Sequence, residues 1–175
     1  MFRRKVYQDL LEWKRTDNGR TALLLEGARR IGKTTVVEEF AKKEYRSYIL
    51  VDFSKDDDPC RILFDRPYNS LDDLFSRLQL NSGKTLYPGE SVIILDEIQL
   101  QPRARQMIKS LVGDGRYHYI ETGSLISLKK NVKGIRVPSE EHTVQMYPMD
   151  FEEWLWANGI DQSDLLRCTQ AHLSR

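Results

Sequence analysis

Cysteine is nearly missing from this chain. Its 175 residues hold two, Cys60 and Cys168, far apart, with no C-x-x-C and no histidine at metal-binding spacing. That excludes a disulfide framework and fits a reducing compartment. Excess charge is missing too: 27 Lys plus Arg against 26 Asp plus Glu leave +1, so bulk charge names no polyanionic or polycationic partner. No apolar run approaches the ~20 residues that span a bilayer, and the basic start Met1-Phe2-Arg3-Arg4-Lys5 leads into no apolar secretion core. Repeats and low-complexity tracts are also lacking. The expectation is a soluble, cytoplasmic chain without a membrane partner. What is present, 40% hydrophobic and 30% charged residues, is ordinary for a folded domain. At this length a chain hides roughly 70% of its unfolded surface, so one globular domain needs no metal or disulfide to stand.

Short apolar runs alternate with amphipathic stretches, the pattern of βα units around a parallel sheet. Strands are expected at 21–26, 48–52, 92–96, 117–121 and 143–146. Leu23-Leu24-Leu25 and Val92-Ile93-Ile94-Leu95 are apolar at every position, as in strands covered on both faces, and are expected to be central. A helix over 33–43 gathers Val36, Val37, Phe40 and Ala41 on one side and carries the i,i+4 pairs Glu38/Lys42 and Glu39/Lys43. A second, over 102–112, opens on Pro102 and is expected to stop at Gly113. Asp150 with Glu153 reads as a capping box, with Met149 stapled against Trp154, for a helix ending near Gly159. Between Lys55 and Gly89 only a helix over 71–80 is legible.

Gly27-Ala28-Arg29-Arg30-Ile31-Gly32-Lys33-Thr34 matches G-x-x-x-x-G-K-[ST], directly after an apolar strand and directly before an amphipathic helix. The glycines let the backbone curl until successive N–H groups point into one concavity. Together with the helix N-terminus, that concavity attracts a phosphate chain. Residues 27–35, including Thr35, form the candidate nucleotide cradle; Lys33 would reach the outer phosphates and the Thr34 hydroxyl would ligate Mg²⁺. Val92-Ile93-Ile94-Leu95-Asp96-Glu97 is an apolar strand ending in two carboxylates and resembles a Walker B element. Asp96 is the candidate second metal ligand. Glu97 is the candidate that orients or deprotonates a water for in-line attack on the γ-phosphate, a water that a phosphotransferase would exclude. Tyr117 to Ser124 is a strand ending in small hydroxyl residues, so Thr122 or Ser124 is a candidate γ-phosphate sensor; a helix cap or turn at Gly123 is the alternative reading. His118 reads as a strand residue. Arg103, Arg105, Arg116 and Arg136 are candidate donors to transition-state charge, each read first as a solvated surface charge. Arg29 and Arg30 occupy variable loop positions expected to face solvent or a partner. Lys129, Lys130 and Lys133 form a small basic cluster for which nucleic acid is an unsupported option.

Leu25 to Thr34, Asp52-Phe53-Ser54, Leu95-Asp96-Glu97-Ile98-Gln99, Glu121 to Leu125 and Tyr147 to Glu153 together resemble the prokaryotic AAA-type P-loop ATPases, whose N-terminal ATPase domain precedes a C-terminal domain of unknown function. The resemblance covers residues 3–160. It implies an α/β three-layer P-loop fold with a five-stranded parallel sheet of the additional-strand type. It places the Asp-Glu strand between the P-loop strand and that strand's usual neighbour, and it implies ATP and Mg²⁺ as ligands. On this basis residues 1–20 are a helix and lead-in, 21–160 the ATPase core, and 161–175 a tail beginning a lid or C-terminal region. That missing region or a protein partner, and oligomerisation, are the further associations implied. Three readings stay open: an ATP-hydrolysing module, a nucleotide-dependent binding switch with little hydrolysis of its own, and a small-molecule P-loop kinase.

Overall fold

The amphipathic and apolar stretches form alternating helices and strands in a computed structural model that describes residues 3–65, 69–124 and 141–160. Helix α1 (Val6–Asp17) precedes strand β1 (Ala22–Gly27), followed by α2 (Lys33–Glu44) and β2 (Ser47–Asp52). A 3₁₀ turn at Arg61–Phe64 leads to α3 (Leu71–Ser82), β3 (Ser91–Asp96), a second 3₁₀ turn at Ile98–Leu100, and α4 (Pro102–Asp114). Strands β4 (His118–Gly123) and β5 (Glu141–Met146) and helix α5 (Phe151–Ala157) complete the described elements. The five strands form one parallel sheet in the order β2-β3-β4-β1-β5.

Alternation along the strands builds two cores. On one face Leu23, Leu25, Val92, Ile94, Ile120, Val144 and Met146 pack with Val6, Leu10 and Trp13 of α1 and with Val36, Val37 and Phe40 of α2. On the other, Ala22, Leu24, Ile49, Val51, Ile93, Leu95 and Tyr119 meet Leu74, Phe75 and Leu78 of α3 and Met107, Ile108 and Leu111 of α4. This is the three-layer α/β arrangement expected.

Three details differ from expectation. The Asp-Glu strand β3 lies between β2 and β4, and the strand inserted beside the P-loop strand is β4. β4 is therefore the middle strand, buried along its whole length although it reads His-Tyr-Ile-Glu-Thr-Gly. Its first residue is paired: the Tyr45 hydroxyl is 2.8 Å from His118 Nδ1, and burial holds that imidazole below its ordinary pKa. Helix α4 runs through Gly113 and stops at Gly115, whose φ of 72° closes the C-terminus. The capping box forms, Asp150 accepting from the Glu153 amide at 2.9 Å and Glu153 accepting from the Asp150 amide at 3.2 Å. Trp154, however, stacks on Phe151 at 6.1 Å, and both rings stay largely exposed.

Arg105 departs from the solvated surface charge expected of it. It is buried on α4, 3.2 Å from Glu141 of β5. Beside this pair lies Glu121 of β4, fully buried, its carboxyl oxygens without a hydrogen-bond partner among the described residues. Burial pushes its pKa well above the ordinary value, Glu141 adding to the rise and Arg105 opposing it. A carboxyl with a raised folded-state pKa favours folding most below its unfolded pKa, near 4.3, and that contribution fades as pH rises through the folded value. Glu121→Gln removes the titration, so we expect its melting temperature to exceed wild type by a few degrees at pH 8 and to converge on it near pH 5. Thermal melts across that range check this; a difference independent of pH would contradict it.

Candidate functional site

β1 ends at Gly27 and α2 begins at Lys33, so Ala28 to Gly32 must reverse direction within five residues. Crowding explains the first glycine: a Cβ at Gly27 would lie 2.3 Å from the Met146 carbonyl oxygen. Gly32 has φ 93°, where L side chains are strained, and Arg30, at φ 63°, accepts such strain. Ala28, Arg29 and Arg30 are exposed, as expected of the variable positions. No side chain caps the first turn of α2, which leaves its amides for an anion. Lys33 is buried, its ammonium donating to the carbonyls of Gly27 (3.2 Å) and Ala28 (2.8 Å). Burial lowers its pKa, and Glu97 and Asp96 oppose that shift. Thr35 is exposed beside the half-buried Thr34.

The acidic pair stands on the same rim as this loop. Thr34 Oγ1 donates toward Asp96, 2.8 and 3.0 Å from its two carboxylate oxygens. The insertion of β4 next to β3 brings Thr122 there as well: its hydroxyl donates to Asp96 Oδ1 and accepts from the Glu97 amide at 3.1 Å. Burial raises the pKa of Asp96, and the hydrogen bonds from Thr122 and Thr34 counter this. Glu97 has φ 55°, a left-handed backbone in a non-glycine residue, which costs on the order of 1 kcal/mol and turns the chain sharply off β3. Ser124 is buried past the end of β4, its hydroxyl without a partner among the described residues.

Of the arginines, Arg105 is committed to Glu141, Arg116 pairs with Asp114 and Asp72, and Arg103 donates to the Asp65 carbonyl at 3.0 Å. Arg136, Lys129, Lys130, Lys133 and Cys168 lie outside the described residues. Cys60 is a buried free thiol whose pKa burial pushes up to about 11.

With loop, acid pair and hydroxyl on one rim of a β2-β3-β4-β1-β5 sheet, the comparison with known proteins is decisive: the AAA domain family matches residues 19–155. The chain belongs to that family. Among solved structures this AAA domain is similar to the ORC1 protein of Aeropyrum pernix, solved in complex with DNA, at 17% identity and a TM-score of 0.51; the match covers 86% of this chain and 46% of that one. It is also similar to PCH-2 of C. elegans, at 14% identity and a TM-score of 0.41, over 84% of this chain and 40% of that one. The AAA domain thus spans less than half the length of these structures. No curated protein sequence matches it. Among the described residues, no helix is long and apolar enough to cross a membrane.

One residue at the AAA site carries no sequence signal. Arg4, one of three consecutive basic residues, is buried and donates to the carbonyls of Ile31 in the loop (3.0 Å) and Tyr147 after β5 (2.7 Å), with Nε 3.2 Å from Glu153. It ties the loop to α5. Truncating one partner of a buried pair strands the other charge, so Arg4→Ala is expected to cost about 3 kcal/mol, or roughly 6–12 °C in melting temperature. Denaturant unfolding checks this; a loss below about 1 kcal/mol would contradict the buried pairing.

Proposed function

We propose that this AAA domain binds and hydrolyses ATP with Mg²⁺, as a cytoplasmic module of a larger prokaryotic ATPase. The observation that carries the reading is the Thr34 hydroxyl against the Asp96 carboxylate, with Glu97 next in the chain on the same rim. The residues fit the ligands. Curled amides, an uncapped helix start and the Lys33 ammonium suit a polyphosphate, while a hydroxyl and a carboxylate are the hard oxygen donors that Mg²⁺ takes. Bound there by Thr34 and Asp96, Mg²⁺ would supply charge neutralisation on the phosphate oxygens.

In this mechanism the amides of residues 28–34 and Lys33 hold the phosphates. Glu97 orients a water and accepts its proton as the water attacks in line, and ADP leaves. Thr122, bonded to both Asp96 and the Glu97 amide, keeps the two acids in fixed relation. That makes Thr122 the stronger γ-phosphate sensor on geometry, with Ser124, whose buried hydroxyl has no partner among the described residues, the second candidate. Glu97 beside the metal ligand favours hydrolysis over phosphotransfer to a small acceptor.

A specific observation also favours the switch reading: Phe151 and Trp154 stack exposed on α5, which Arg4 joins to the loop. Nucleotide state could pass along that connection to a C-terminal region, another copy or a partner. Nucleic acid is a reasonable partner to test, since the ORC1 structure includes DNA. Titration with ATP, GTP and ADP, with and without Mg²⁺, followed by phosphate release, separates the readings. Mg²⁺-dependent ATP binding with release supports the ATPase; tight binding without release supports the switch; no nucleotide binding overturns both.

A further inference from the structure

Glu97 is pinned at its backbone by the left-handed turn and by the bond from its amide to Thr122. Its side chain still has three rotatable bonds, and a half-buried carboxylate with that freedom need not face the phosphate end of the loop. Two residues on, inside the 3₁₀ turn Ile98–Leu100, Gln99 is buried to 4% exposure, and its Nε2 donates to Glu97 Oε2. Phosphate binding, metal ligation and water activation leave this amide without an assigned task. A buried primary amide in a short turn is costly to desolvate unless its hydrogen bonds are made, so the contact fixes both side chains together.

We infer that Gln99 is a positioning residue for Glu97. Its amide holds the carboxylate in one rotamer, so that the attacking water meets an acceptor already aimed. The turn supplies the geometry: Leu100 N–H donates to the Glu97 carbonyl at 2.9 Å, which closes the chain on itself and returns Gln99 over the acid. The inference rests on the reading of Glu97 as the water-orienting acid. Misaiming a catalytic group by about an ångström costs on the order of tenfold or more in rate, without touching nucleotide affinity.

The test uses the whole chain and a readout other than turnover. Dissociation constants are measured for Mg-ADP alone and for Mg-ADP with aluminium fluoride, a planar mimic of the transferring phosphoryl group that recruits an in-line water. Wild type, Gln99→Met, Gln99→Asn and Glu97→Gln are compared. Met keeps the length and loses the donor; Asn keeps the amide but withdraws it by one methylene. ADP affinity is expected to stay within twofold in all four. The gain that fluoride adds is expected to fall about tenfold in both Gln99 variants and at least as far in Glu97→Gln. Wild-type gain in Gln99→Met and Gln99→Asn with loss in Glu97→Gln overturns the role of Gln99 and leaves that of Glu97 standing. Wild-type gain in Glu97→Gln, or no gain in wild type, removes both. Should Gln99→Met lose ADP binding by misfolding, Gln99→Glu, which sets a second carboxylate against Glu97, carries the same comparison and the same expected loss.

Discussion

Lys33→Ala is expected to weaken binding of a fluorescent ATP analogue by at least a hundredfold while leaving the melting temperature within a few degrees of wild type. Lys33 is buried, yet among the described residues its ammonium donates to the nearby carbonyls of Gly27 and Ala28, so these hydrogen bonds hold no distant element in place. Its charge matters to the ligand instead: an ammonium inside a curl of amides faces up to four negative charges of a triphosphate where water is partly excluded and attraction is strong. Loss of about 3 kcal/mol there corresponds to the hundredfold drop. Unchanged affinity in a folded Lys33→Ala variant would remove the phosphate-loop assignment.

Glu97→Gln is expected to bind ATP as wild type does and to lose turnover by a factor of a hundred or more. The amide keeps the side chain's size and can still meet Gln99, but it no longer accepts a proton from water, and general-base assistance contributes typically 10²–10⁴-fold. Stopped-flow phosphate release at saturating ATP, paired with a binding titration, separates the two quantities. Equal release by wild type and variant would strip Glu97 of its role; weakened binding with unchanged turnover would make it a ligand contact.

How much of this was open to reading from residues alone follows from which interactions are local. The loop, the α2 helix and the strand ending in Asp96-Glu97 are contiguous patterns, and strand apolarity marks β1 and β3 as interior. The central strand escaped the same logic: His118, Tyr119, Glu121 and Thr122 break the unbroken apolar run that marks β1 and β3, and the sheet order buries them. Thr122 and Ser124, two residues apart, point the same way along a strand, and only the register of β4 against β3 sets Thr122 rather than Ser124 level with Asp96. Arg105 looked like a surface charge because its partner Glu141 is 36 residues on, and Arg4 looked unremarkable because its acceptors sit 27 and 143 residues away. Long-range polar pairing has no period and leaves no mark in the local pattern. The stop at Gly115 in place of Gly113 is the smaller lesson: a glycine ends a helix where the chain turns left-handed, and a second glycine two residues on took that place.

Metal-dependent hydrolysis at this site is tested by a single-turnover experiment with γ-labelled ATP bound to excess wild-type protein, run with Mg²⁺ and with a chelator. Inorganic phosphate is expected to appear in one exponential phase with Mg²⁺ and not at all under chelation. ATP bound equally tightly in both conditions, with no phosphate released in either, would contradict a site in which Thr34 and Asp96 hold the ion and Glu97 directs the water.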